Sequence, residues 1–166
     1  MRYKPISSRI YKKNRDKFTS RMKKDSIAIF NSNDIYPIGA DSTFPFEQHR
    51  DIFYLTGIDQ EETILLLSPH AKEIKNREIL FIKKTNKKIQ IWEGPKLSKE
   101  EAKSISGIEK ILWLNEFDST LKQITSQNSA IYLNKNEHYR SNSKTQTRED
   151  RFIAKFKNEY PTHSVH

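Results

Sequence analysis

"TILLLSPHAKEIKNREILFI" (residues 63–82) contains the two runs whose reading decides the fold. TILLL (63–67) and ILFI (79–82) are apolar at every position except Thr63, so neither face is reserved for water. A half-exposed strand would alternate apolar and polar residues. A short unbroken run marks a central strand covered by helices on both sides.

Five further runs flank these two: IAIF (27–30), IFYL (52–55), KIQIW (88–92), ILWL (111–114) and IYL (131–133). Each is three to five residues long with turn-forming residues between them, which predicts strands. KIQIW alternates as an edge strand does, placing Ile89 and Ile91 on one face and Gln90 and Trp92 on the other. Trp92 then shares the more polar face ahead of the Glu93-Gly94-Pro95 turn. It is either packed in the core or a contact surface for a ligand or subunit.

Helical spacing appears in four places. Tyr11, Phe18 and Met22 form an apolar stripe among basic residues, predicting an amphipathic helix over 8–24 docked on the body with a solvated basic face. In SKEEAKSISG, Ser98 and Glu101 make a capping box and Gly107 a stop. NEFDSTLKQI places Phe117, Leu121 and Ile124 on one face. TREDRFIAKFKNEYP pairs Thr147 with Asp150 and halts at Pro161, after a polar stretch (134–150) read as a long surface loop. Strands and helices interleave, so the fold class is α/β, a mixed β-sheet flanked by helices.

Composition narrows the chemistry. The 166 residues fit one domain, and the absence of cysteine excludes disulfides, thiolate nucleophiles and cysteine-based metal sites. The net charge of +9 is unevenly spread: ten Lys and Arg against two Asp in residues 1–25 leave the body nearly neutral. No base-stacking aromatics or binding motif share that basic helix, so no nucleic acid is expected as a partner. No apolar run is long enough to span a bilayer and no signal sequence opens the chain, so no membrane association and a cytoplasmic location are expected.

No motif for catalysis stands out. The five histidines show no metal-ligand spacing, His163 and His166 read as a loose tail, and no metal site is expected in the chain. The four glycines form no phosphate loop. FPFEQHRDIFYLTG (44–57) gathers Gln48, His49, Arg50 and Asp51 against an apolar run, with Asp41 and Glu47 nearby. This is either a reactive site or the polar start of an ordinary strand, and the second reading is preferred.

The segment ADSTFPFEQHRDIFYLTGIDQEETILLLSP (40–69), followed by ILFI and IQIWEGPKLS (89–98), resembles the N-terminal domain of aminopeptidase P (Xaa-Pro aminopeptidase), of the creatinase/prolidase pita-bread metallopeptidases. The family order is a basic first helix, a strand, an aromatic-Pro-aromatic loop, an aromatic-rich segment, two apolar strands and an Ile-Trp-x-Gly turn.

The resemblance implies a mixed sheet of ribonuclease-H-like topology over residues 1–160, with 161–166 starting a linker to a C-terminal catalytic domain absent from this chain. That domain would hold two divalent metals, manganese by the family pattern. The parent would release the N-terminal residue from peptides with proline second, while this chain would be inactive alone and serve dimer or tetramer assembly and cleft shaping. Trp92 is implied as a substrate-pocket or subunit contact, with Asp41 and Arg50 in the polar loop facing the catalytic domain. Two alternatives are an N-domain of a prolidase or creatinase-like hydrolase, and a standalone binding module using the basic helix.

Overall fold

Leu65, Leu66, Leu67, Ile79, Leu80, Phe81 and Ile82 have no accessible surface in the computed structural model, which describes residues 6–86, 90–91, 93–136, 138 and 145–166. They lie on β4 (Ile64–Leu67) and β5 (Glu78–Ile82), paired antiparallel with Leu65 opposite Leu80. β1 (Ser26–Asn31) lies against β4 antiparallel and against β7 (Ala130–Leu133) parallel. β6 (Lys110–Trp113) joins β5 in parallel and β8 (Ser164–Val165) joins β7, giving a six-stranded order of β6-β5-β4-β1-β7-β8. A separate hairpin pairs β2 (Pro37–Gly39) with β3 (Ser42–Thr43).

The two-residue period of each strand sorts its side chains into two cores. Ala28, Phe30, Leu65, Leu67, Leu80 and Ile82 point to one face. There they meet α1 (Ser8–Thr19), α2 (Arg50–Thr56) and α3 (Lys99–Ser106) through Phe18, Ile52, Leu55 and Ala102. Ile27, Ile29, Ile64, Leu66, Ile79 and Phe81 point to the other face. There α4 (Phe117–Thr125) and α5 (Arg148–Glu159) contribute Phe117, Leu121 and Phe156. A side chain of this kind contributes roughly 1.5–3 kcal/mol on burial, so strands apolar on both faces need helices on both.

Three expectations change. IFYL (52–55) is helical. Ile52, Leu55 and Thr56 are buried while Tyr54 is exposed, a three-to-four-residue period that a four-residue window cannot separate from alternation. KIQIW is not a strand over its described part: Gln90 and Ile91 are helical, Gln90 N–H donates to Asn86 O at 3.0 Å, and Ile91 is exposed. Lys88, Ile89 and Trp92 lie outside the described residues. The terminal residues are not loose. β8 (Ser164–Val165) pairs parallel with β7, and His166 N–H donates to Ile131 O at 2.9 Å. His163 Nε2 is 3.1 Å from Thr125 O, and the His166 ring packs on Tyr132.

The first helix docks as expected but ends at Thr19, short of the expected 24, burying Tyr11 and, beyond its last turn, Met22. One of its basic residues is not solvated. Arg15 is fully buried; its Nη1 donates to Leu55 O at 2.8 Å and Ser106 O at 3.0 Å, while Nη2 lies 3.0 Å from Glu78 Oε2. A guanidinium thus satisfies terminal carbonyls of α2 and α3 together, where the helix dipoles favour a cation.

Candidate functional site

Because β1, β5 and β7 run parallel, their carboxyl ends share one edge, and antiparallel β4 begins there. The connections 32–49, 83–98 and 134–147 leave from this edge. In open α/β sheets it is the place where ligands and partners are met. Asn31, Ser32, Gln60, Glu61, Thr63 and Glu149 are buried polar groups there.

Gln48, His49 and Asp51 begin α2. Gln48 Nε2 donates to Ile58 O at 3.1 Å and Gln60 O at 2.8 Å, and its Oε1 accepts from His49 N–H at 2.8 Å. His49 Nδ1 accepts from Asp51 N–H at 3.3 Å, capping the helix. Asp51 Oδ2 accepts from Asn134 Nδ2 at 2.9 Å, linking the end of β7 to α2. These polar atoms are engaged in holding structure, and the segment starts a helix, not a strand. Arg50 is exposed and lines a polar cleft with Asn33, Glu47, His49, Asp51 and Asn134. Asp41 is not among the residues lining that cleft. It sits exposed at the β2–β3 turn.

The hairpin carries a feature that patterning did not flag. Both of its strands are exposed, and Ile35, Tyr36, Ile38 and Phe44 retain 43%, 43%, 60% and 57% of their surface. Two-stranded ribbons are marginal alone in water, and apolar groups clustered this way mark contact surfaces.

The connection 83–98, which carries Trp92, is fastened at both described ends to residues 60–62. Lys83 Nζ sits 2.6 Å from Glu62 and 2.8 Å from Glu93. Burial alone would lower the Lys83 ammonium, but the hydrogen bonds and charges of these two glutamates outweigh it and push it up to about 12. Lys96 pairs with Glu61, both nearly buried, and Gln60 Oε1 accepts from Leu97 N–H at 2.8 Å.

Glu149 is a site residue that motif reading passed over. Thr147 and Asp150 form the expected capping box around it, and Glu149 instead reaches β1, accepting from Asn31 N–H and Asn31 Nδ2, both at 2.9 Å. Arg148 Nη1 donates to Ser32 Oγ at 3.1 Å, and Arg151 Nη2 to both oxygens of Asp34 at 2.8 and 2.9 Å. Among the described residues no group of three or more His, Asp or Glu could hold a metal ion. Among them, too, no helix is long and apolar enough to cross a membrane.

The fold and this edge define an α/β domain with two cores and a polar, loop-bearing face at the carboxyl ends of its strands. The chain belongs to the aminopeptidase P N-terminal domain family, whose model matches residues 11–132. Over 127 residues it is 25% identical to the Xaa-Pro aminopeptidase of Escherichia coli strain K12, covering 76% of this chain and 29% of that protein. It is 24% identical to human Xaa-Pro aminopeptidase 3 over 110 residues, 65% of this chain and 22% of the other. A Bacillus anthracis structure assigned as an aminopeptidase P superposes with a TM-score of 0.86 at 28% identity, covering 97% of this chain and 38% of that one. The low-pH form of Escherichia coli aminopeptidase P gives 0.76 at 19% identity over 98% of this chain and 37% of the other, which speaks for the fold alone. The chain thus spans between 22% and 38% of the length of these relatives.

Proposed function

We propose that this chain is the non-metal N-terminal domain of an Xaa-Pro aminopeptidase, a hydrolase that releases the N-terminal residue from peptides with proline second. The observation that carries this reading is the likeness of nearly the whole chain to roughly a third of an aminopeptidase P structure. In this reading residues 1–160 form the body of the domain, and 161–166, which add β8 to its sheet, lead on towards a catalytic domain holding two divalent metals, manganese by family pattern. The described residues of this chain do not fit such a centre, so no metal-dependent step is assigned to them.

The domain's part is assembly, as a dimer or tetramer, and shaping of the cleft, in the cytoplasm. The exposed apolar hairpin and the polar edge beside it are suited to face the catalytic domain, with Asp41 and Arg50 in the contact and Trp92 at the substrate pocket or a subunit junction. The names of the curated relatives favour aminopeptidase P over a prolidase or creatinase-like parent.

The test uses the chain alone and the chain joined to the rest of its parent, each supplied with manganese and a peptide with proline or alanine second. The joined protein should cleave the proline peptide selectively and the chain alone should not. Hydrolysis by the chain alone, or a joined protein indifferent to proline, would overturn the reading. Trp92→Ala in the joined protein should lower kcat/KM about tenfold or more without shifting Tm, the size of loss expected from one positioning contact.

A further inference from the structure

Glu149 is the second residue of α5, is only 6% exposed, and takes both of its hydrogen bonds from one residue of another element. Asn31 is 1% exposed, closes β1, and donates its backbone N–H to Oε1 and its Nδ2 to Oε2. Its Oδ1 is buried with no hydrogen-bond partner among the described residues. A carboxylate can only accept, so the amide must present its NH2 while Glu149 is ionised. A neutral carboxyl keeps acceptor capacity but gains one O–H donor, and the buried, unpartnered Asn31 Oδ1 is an acceptor that turning the amide would bring to it.

We propose that Glu149 and Asn31 form a proton-driven switch, in which uptake of a proton on Glu149 Oε2 turns the Asn31 amide over and reverses the hydrogen bond between them. In the proton-loaded arrangement Oε2–H donates to Asn31 Oδ1, and Oε1 keeps the bond from Asn31 N–H. The proton comes from solvent and no covalent bond changes. Among the described residues Asn31 Oδ1 has no partner, so no hydrogen bond at that end of the amide opposes the turn.

The surroundings set the switch near neutrality. Burial pushes the Glu149 carboxyl up to about 7, against the two Asn31 bonds and the positive charge of Arg148. Asp51, from α2, adds to the rise. Arg148 in turn faces Asp34 in the connection after β1, Glu62 ahead of β4, and Arg151 on its own helix. A carboxyl raised in the folded state contributes stability that is fully present below its ordinary 4.5 and is lost as pH rises through about 7. The inference involves no catalytic domain, peptide or metal, so it stands or falls apart from the proposed function.

The experiment follows the Glu149 carboxyl carbon and the Asn31 side-chain NH2 by NMR in the isotopically labelled whole chain, from about pH 4 to about pH 9. Both should move with one shared midpoint near 7. In Glu149→Gln, whose amide can donate as the neutral acid does, the Asn31 NH2 should hold its low-pH position throughout. The decline in urea stability of the native chain between pH 4.5 and about 7 should also flatten in that variant. A Glu149 midpoint below about 5, in the ordinary carboxylate range, would overturn the switch. So would an Asn31 NH2 that stays still while Glu149 titrates. Both readings come from the native chain and need no variant to fold.

Discussion

In α2, Thr56 Oγ1 donates to Ile52 O at 2.7 Å and accepts from Ile58 N–H at 3.1 Å; in α3, Ser106 Oγ does the same with Ala102 O and Ile108 N–H at the same two distances. Gly57 and Gly107 follow, both left-handed at φ 70°, and each hands the chain to a fully buried isoleucine, Ile58 or Ile108. The two helix ends differ in what α1 presses against them. A Cβ on Gly57 would stand 2.3 Å from the Tyr11 ring, whereas one on Gly107 would stand 3.3 Å from Ser8 Cβ. One ending is therefore held by conformation and close packing together, the other almost by conformation alone, and Arg15 spans the two.

That contrast can be broken at its common element first. Arg15→Ala removes the cation from Leu55 O, Ser106 O and Glu78 at once. Loss of one partner from a buried pair costs about 3–5 kcal/mol, and urea unfolding should show it. A cost under about 1 kcal/mol would mean that the carbonyls are satisfied without it. Gly57→Ala comes next, at roughly 2–3 kcal/mol, combining left-handed strain with overpacking. Shrinking the ring with Tyr11→Leu in the same chain should recover part of that loss, and strictly additive costs would sink the contact argument. Gly107→Ala should cost only about 1 kcal/mol, the conformational share. Equal losses at the two glycines would erase the distinction between the endings.

The helix starts sharpen the comparison at its smallest scale. Ser98 Oγ accepts from Glu101 N–H at 3.1 Å, and Glu101 Oε2 in turn accepts from Ser98 N–H at 2.8 Å, a closed box. His49 offers α2 a single cap at 3.3 Å. Ser98→Ala should lose about 1 kcal/mol and His49→Ala a few tenths. Thermal unfolding of both variants under one buffer checks the ranking.

These same differences explain why one helix was legible and its neighbour was not. SKEEAKSISG carries its own start and stop signals within ten residues, and they are local chemistry. Ile52-Phe53-Tyr54-Leu55 is made of strand-favouring residues, and only burial of Ile52 and Leu55 against the sheet reveals the helical period. The hairpin's apolar patch was equally hidden, since exposure of Ile38 and Phe44 is a fact about what does not pack on them.

What could be read along the chain was whatever needs a few neighbouring residues: the two-sided runs of β4 and β5, the capping boxes, the stop at Gly107 and the α/β class they add up to. Family membership was legible too, because several short motifs recur in order. Contacts across long separations were not. Arg15 is one basic residue among ten in the first 25, and nothing beside it distinguishes the one that meets Ser106. Glu149 stands beside a capping acid, and its partner Asn31 is at the far end of the chain. Val165 reads as tail until β7 offers it a parallel edge. Burial and pairing are properties of the folded arrangement, and the cost of leaving a charge or an N–H group unmet exists only once water has been excluded.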